Sequence, residues 1–432
     1  MMTFAESLQF LRGLQWFGAR MGVETTRALA RHFGHPEDRL RFIHVAGTNG
    51  KGSTCAMLES VYRHAGLRVG LYTSPHLVRF SERIQINRDP ASDGDVSRLA
   101  SELKQALDAL QVKPTFFEAV TIMALRYFAA QKCDLVVMET GLGGRLDATN
   151  IVTPLASVIT NVQLDHEAWL GNTLERIAFE KAGIIKPFRP VIAGVEPGDA
   201  LETVLKVAAE KRARVILSRH PGPFSTKWAG LELPLLGDHQ WQNAAATLAT
   251  VQELQPVIPV PESAVEAGLR GVRWPGRFQL LKRVDGQRII LDGAHNPSGM
   301  ESLRAGLELL FPGRPIKLIL GAMRDKDWAG MCRIIAPLAE SVLLVPTGSE
   351  RGAETGWLEK ACREANPRAA VSHYRSLAEA LATPGGGEII VITGSLHLIG
   401  EATEILLPGM QARDERALNE WMTAEQFKTA AP

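Results

Sequence analysis

Cysteine is scarce in this sequence: Cys55, Cys133, Cys332 and Cys362 are the only four in 432 residues, and no two form a CxxC pair. Such spacing builds neither a disulfide framework nor a thiolate zinc site, so a reducing compartment is expected. An excess of one charge is also missing, because 48 Lys and Arg face 47 Asp and Glu for a net charge of +1. Without a global field to gather nucleic acid or an anionic membrane, any bound anion must be held locally. No stretch approaches the ~18 apolar residues of a membrane span, and Glu6 and Arg12 break the N-terminal run before a secretory core can form. A cytoplasmic protein is expected, with neither nucleic acid nor membrane as partner. Low-complexity tracts are absent; one short biased stretch, 384–387, reads as a tight loop. What remains is an ordinary globular composition, 45% hydrophobic and 22% charged, on a chain long enough for two or three domains at roughly 150 residues each.

From residue 40 onward, short apolar runs alternate with segments of helical period: RFIHVAG, STCAMLESVYRHAG, RVGLYTS, then DLVVMETG, PLASVITNV, PVIAGV and RVILS. Alternation of this kind marks a parallel sheet covered by helices on both faces. A second series runs from RIILDGA through IKLILGAM and SVLLVPT to EIIVITGS. Between them Trp274-Pro275-Gly276-Arg277 joins two breakers of regular structure. The fold expected is α/β in two domains. Residues 1–275 form an N-terminal P-loop ATPase domain with a mainly parallel sheet, and residues 276–432 a smaller Rossmann-like α/β domain. The tail around Arg416-Ala417-Leu418-Asn419-Glu420-Trp421 is expected to be helical or frayed.

The first apolar run leads into Gly47-Thr48-Asn49-Gly50-Lys51-Gly52-Ser53 and then an amphipathic helix. Glycines let backbone N–H groups close around phosphate oxygens, the helix N-terminus adds positive potential, Lys51 supplies a point charge, and the Ser53 hydroxyl can reach Mg²⁺. The spacing departs from the usual G-x-x-x-x-G-K-[ST] loop, because Gly47 lies three residues before Gly50 and Gly52 separates Lys51 from Ser53.

This variant loop resembles that of the Mur ligase superfamily of ATP-dependent amide-forming ligases. Within it, GTNGKGS followed by LYTSPHLVRFSERI, ETGLGGRLDATN, LDH, EKAGI, WPGRFQ, LDGAHNP and TGSLHLIG is similar to the folylpolyglutamate synthase and dihydrofolate synthase family, in order from about residue 40 to about residue 405. The resemblance implies Mg²⁺, as two ions, held by Ser74, Glu139 and His166 together with Ser53. Ligand chemistry alone ranks the imidazole of His166 below the Glu139 carboxylate for a hard cation. By the same resemblance Lys181 is carbamylated and helps position the metal; the plainer reading is a solvated lysine in the last turn of a helix capped by Asn172 or Thr173. A carbamate needs a neutral amine, which partial burial favours.

Asn243 is assigned to adenine by resemblance, although as a polar residue early in a helix it is equally explained. Arg277 goes to the phosphates, Asp292 to the ribose, His295 nearby, and Ser395 to the glutamate side. Asp292 heads an Asp-Gly pair that also reads as a turn. The mixed apolar and polar segments 75–83 and 141–150 suit a flat heteroaromatic ring such as a pterin, with Arg83, Phe117 and Asp147 as its contacts, yet irregular capped loops explain them as well.

The activity these residues imply is addition of L-glutamate to folates, and also to dihydropteroate, at the expense of ATP. Lys51, Lys181, His166 and Arg277 form the expected catalytic set, and the enzyme is expected to be a monomer. Two rivals are another amino-acid ligase of the superfamily, for which the 46 residues before Gly47 are too few to make an added domain, and a P-loop regulatory ATPase that forms no amide.

Overall fold

The computed structural model describes residues 1–17, 22–218, 230–282, 286–383, 389–407, 409 and 415–420. Two twisted sheets account for the fold. The first holds β1 (Phe42–Ala46), β2 (Val69–Tyr72), β3 (Ile84–Ile86), β4 (Asp89–Pro90), β5 (Leu135–Glu139), β6 (Ala156–Ile159), β7 (Val191–Ala193) and β8 (Val215–Leu217). Their order is β4-β3-β2-β5-β1-β6-β7-β8. All neighbours are parallel except β3, which runs antiparallel to β2 and to β4. The second sheet holds β9 (Gln279–Lys282), β10 (Arg288–Leu291), β11 (Ile316–Leu320), β12 (Ala339–Leu344), β13 (Ala370–His373) and β14 (Ile389–Thr393), in the order β13-β12-β11-β14-β10-β9. Only the edge strand β9 is antiparallel there.

The two apolar series in the sequence are therefore the two parallel sheets, and the α/β fold class stands. The antiparallel additions were not read, because β3, β4 and β9 are two to four residues long and carry too few positions for a period-2 signal. The stretch 384–387 lies outside the described residues. Of the tail, Glu415–Asn419 is a 3₁₀ turn, and Trp421 also falls outside. Among the described residues, no helix is long and apolar enough to cross a membrane.

β1 is fully buried between β5 and β6. Its following helix, Lys51–His64, is buried without a break from Ser53 to Tyr62, so it lacks a solvent face and packs against the helices Asp238–Leu254 and Glu262–Arg270 as well as the sheet. The approach is close enough that a Cβ on Gly268 would come within 2.5 Å of the Val61 Cα, and the Ser60 hydroxyl donates to the Gly268 carbonyl at 2.7 Å. In such a sheet, ligands bind beyond the carboxyl ends of strands where the winding direction changes. For the first sheet that place is the loop after β1.

Candidate active site

Gly50 precedes the helix Lys51–His64 in the left-handed region, at φ +81°, and no side chain caps that helix. A Cβ at Gly50 would run into the Asn243 side chain, so the glycine serves both the turn and the seating of Asn243, whose amide donates to Gln240 Oε1 at 3.0 Å. The first-turn N–H groups point into the loop, the arrangement that favours phosphate.

The loop is braced by residues following β6. Asn161 Oδ1 accepts from the N–H groups of Thr48 and Asn49 at 3.2 and 2.8 Å. The Thr160 hydroxyl donates to the Asn49 carbonyl at 2.6 Å, and Asn49 Nδ2 donates to Gln163 Oε1 at 2.8 Å. These three residues were missed in the sequence; a polar cluster directly after a buried strand beside β1 was the available signal.

Two ammonium groups converge on the Gly47 carbonyl: Lys51 Nζ at 3.0 Å and Lys181 Nζ at 2.9 Å. Lys51 also donates to the Thr48 carbonyl at 3.1 Å. Lys181 is not the solvated last-turn residue of the plainer reading. It sits on the buried face of the helix Leu174–Ala182 with Ile177, Ala178 and Ala182, and Thr173 supplies the cap. Burial, reinforced by the Lys51 charge, brings its pKa down to about 7.

Glu139 ends β5. It is buried and accepts the Ser74 N–H at 3.0 Å; burial pushes its carboxyl up, while Lys51 and that N–H pull against the shift. The cations that act on it are Lys51, Arg277 and Arg83. A buried carboxylate that accepts the Ser74 N–H is a hard-oxygen donor of the kind that suits Mg²⁺. His166 is already engaged from the second sheet's side. Its Nε2 lies 3.3 Å from Lys326 Nζ, which pairs with Asp165 Oδ1 at 2.6 Å. Glu139 does not join Asp165 and His166 in a cluster tight enough for one ion. Burial and the Lys326 charge take the His166 imidazole down to about 3, leaving a neutral ring. For a cation to sit on Nε2, Lys326 must move.

Lys326 belongs to the second sheet's side of the molecule, and so does Asn296, which donates to Asn49 Oδ1 at 3.1 Å and to Asp165 Oδ2 at 3.2 Å. Neither was singled out in the sequence. Nearby, Gly293 leaves room for Arg277: a Cβ there would come within 2.6 Å of Arg277 Nη1. Asp292 is buried and already ties two segments together, accepting from the N–H groups of Phe278 at 2.7 Å and Ala294 at 2.8 Å. Its expected ribose contact would have to be added to those bonds. His295 Nδ1 lies 2.8 Å from the Gly293 carbonyl. Ser395 ends up as the cap of the helix Leu396–Leu406, accepting the His397 N–H at 3.1 Å.

The residues expected at a pterin divide. Phe117 lies against Tyr72 with ring centroids 6.0 Å apart, and a Cβ on Gly141 would meet its ring. Arg83 stacks on Phe116 instead, 5.2 Å from the ring centroid. Asp147 organises its own loop: Oδ2 accepts from Gly141 and Leu142 N–H, both at 2.9 Å, and Oδ1 from the Thr149 N–H and hydroxyl. That fills about four lone-pair sites, so a ligand bond here would displace an internal one. The Thr149 hydroxyl in turn accepts from His44 Nε2 at 2.8 Å, which fixes His44 as the neutral Nε2–H tautomer.

Burial holds the His44 imidazole down to about 3, whereas the unfolded ring titrates near 6.5. Between those values the unfolded chain binds the extra proton, so this residue's contribution to stability falls as pH drops from about 6.5 to about 3, by about 1.4 kcal/mol per pH unit. Denaturant melts of the wild type and His44→Gln across that window should differ in slope by about one proton; parallel curves would mean that His44 charges in the native state.

Residues 45–251 match the Mur ligase middle domain, and residues 276–396 match the Mur ligase glutamate ligase domain. The dihydrofolate synthase/folylpolyglutamate synthase of Bacillus subtilis is 34% identical over 424 residues, covering 92% of this chain and 98% of its own. The chain belongs to the folylpolyglutamate synthase and dihydrofolate synthase family. Among solved members of that family, E. coli FolC in complex with DHPP and ADP matches with a TM-score of 0.84 at 31% identity, over 94% of this chain and 98% of the other. A bifunctional folylpolyglutamate synthase/dihydrofolate synthase with Mn, AMPPNP and L-glutamate bound matches at 0.82 and 30%, over 94% and 98%. Membership makes the protein an ATP-dependent amide-forming ligase, and the expectation of this family from the ordered motifs is met.

Proposed function

We propose that this ligase joins the amine of L-glutamate to the carboxylate of reduced folates and of dihydropteroate, using ATP to activate the acid. The observation that carries the reading is the convergence of Lys51 and Lys181 on the Gly47 carbonyl, at the head of a helix without a side-chain cap, with Asn296 and Lys326 of the second sheet's side docked against the same loop region. Relatives solved with DHPP and ADP, and with Mn, AMPPNP and L-glutamate, support the substrate classes.

A free carboxylate is a poor electrophile. In the first step its oxygen attacks the γ-phosphorus in line, the bond to the bridging β,γ-oxygen breaks, and ADP leaves with an acyl phosphate formed. The glutamate nitrogen then attacks the acyl carbon, the carbon–oxygen bond to phosphate breaks, and the amide forms with loss of the amine proton. Lys51 and Arg277 spread charge on the transferring group, while Asn243 and Asp292 orient the nucleoside. Phe117 and the loop held by Asp147 line the pterin side, and Ser395 the glutamate side. Placement and exclusion of water by the apposed second domain do most of the work, since no enzyme nucleophile is required.

Ser53, Ser74 and Glu139 would hold one Mg²⁺, and His166 with Lys181 a second once Lys326 has moved off Nε2; bound there, the metal would supply charge neutralisation on the phosphates. Lys181 takes part as a carbamate, for which a buried amine of pKa about 7 is suited near neutral pH. Glu139→Gln replaces a hard anionic donor by a neutral amide, so the Mg²⁺ concentration for half-maximal activity should rise by about tenfold or more. An unchanged metal titration would return Glu139 to a purely structural part.

The reading is tested by supplying purified protein with ATP, labelled glutamate and either dihydropteroate or tetrahydrofolate. Steady-state phosphate release should require both the acid and glutamate. Turnover of ATP indifferent to both would make the protein a nucleotide switch instead, and product from only one acid would limit it to one of the two synthase activities.

A further inference from the structure

The segment 75–83 is held from a distant part of the chain. Glu415 Oε2 accepts the Phe80 N–H at 2.6 Å, and its carbonyl accepts His76 Nε2–H at 3.0 Å. Asn419 closes the other side: its Nδ2 donates to the His76 carbonyl at 2.8 Å, and its Oδ1 accepts Arg83 Nη2 at 2.6 Å. Arg83 Nε donates to His76 Nδ1 at 2.8 Å, which requires the neutral imidazole with its proton on Nε2, the atom that faces Glu415. The result is a closed ring, Asn419 to Arg83 to His76 to Glu415.

All four side chains are buried; Glu415 is 1% and Asn419 8% exposed. Charged and amide groups that far from water persist only where their partners are supplied, and removing one member strands the others. Every partner that Glu415 and Asn419 bring to the segment is at least 335 residues distant in sequence. The chain has passed through the whole second sheet and returned to a loop of the first. The second sheet's own helix joins the contact, since a Cβ on Gly400 would strike the Leu77 carbonyl. The hydrogen bonds of Glu415 and Asn419 described above all go to the segment 75–83, and what they fix is the direction of the Arg83 guanidinium over Phe116.

We infer that the C-terminal turn Glu415–Asn419 is a positioning element of the acid-substrate side of the site, setting affinity for the pteroate-type acid through His76 and Arg83 and leaving the nucleotide loop unaffected. The inference rests on the acid-substrate side proposed above, which Arg83 adjoins by stacking on Phe116, the sequence neighbour of Phe117.

The test uses the full chain with Asn419→Ala, Glu415→Ala and Glu415→Gln. Steady-state KM for dihydropteroate or tetrahydrofolate is measured beside kcat, the Kd for a non-hydrolysable ATP analogue, and Tm. Loss of a buried hydrogen bond to a charged partner should raise the acid KM about tenfold in Asn419→Ala, with nucleotide Kd and kcat within about twofold. Glu415→Ala should move the same way. Glu415→Gln, which keeps an acceptor for the Phe80 N–H, should recover most of the affinity. An acid KM unchanged in both alanine variants, a parallel loss of nucleotide affinity, or a fall in Tm without the KM change would each overturn the inference. If the wild type itself neither binds nor uses such an acid, the functional reading fails and takes this inference with it.

Discussion

Lys51→Ala should lower ATP-dependent product formation by about a hundred- to a thousandfold, the range seen when one charge-stabilising donor is removed from a transition state. Tm should change little, because the ammonium donates to the Gly47 and Thr48 carbonyls at the edge of the loop and contributes nothing to the apolar core. A second effect follows from the geometry. The Lys51 charge is one of the two causes that lower the pKa of Lys181, so its removal should raise that pKa and leave less neutral amine near pH 7. The measurements are kcat/KM for the ligase reaction, nucleotide Kd and a thermal melt. Turnover like the wild type would remove the loop from the mechanism; loss of activity with a collapsed Tm would mean that the lysine is structural.

Lys181→Ala should be nearly inactive, again by about a hundredfold or more, if a carbamate there carries negative charge to the metal. Short carboxylates such as formate or acetate should restore part of the rate, since they return an anion to the space left by the side chain. Lys181→Arg keeps a positive charge that cannot be given up, and should stay inactive with or without them. The unmodified ammonium already has a place, 2.9 Å from the Gly47 carbonyl beside another cation, so the chemistry turns on the sign of the charge. An intact-protein mass spectrum of fully active enzyme in bicarbonate that shows only the unmodified amine would sink the carbamate, as would equal rescue of the arginine variant.

The fold was legible wherever apolar runs were long enough to show a period. Each of β1, β2, β5 to β8, β10 to β12 and β14 falls on a run read as a strand, and the loop after β1 announces itself through Gly50, Lys51 and Ser53. What the sequence did not reveal is held by long-range contacts. Asn161 braces Asn49 across 112 residues, Asn296 reaches Asn49 across 247, and Lys326 reaches Asp165 across 161. No local periodicity can encode pairs at such separations, because each residue taken alone looks like an ordinary loop polar group. Lys181 is an instructive middle case. Its basic, last-turn position suggests solvent, yet Ile177 and Ala178, four and three residues before it, place it on the apolar face of its helix, and the structure buries it there. Asp147 shows the opposite limit: a conspicuous acid in a glycine-rich loop turns out to spend its acceptors on that loop's own backbone.

The central claim is that ATP activates the acid as an acyl phosphate before glutamate attacks. It is tested most directly by supplying dihydropteroate or tetrahydrofolate with ¹⁸O in the carboxylate that is to be amidated, together with ATP, Mg²⁺ and L-glutamate, and analysing the released inorganic phosphate by mass spectrometry. The mechanism requires one labelled oxygen to pass from the carboxylate into each phosphate as the amide forms. Phosphate that carries no label while product accumulates would contradict it.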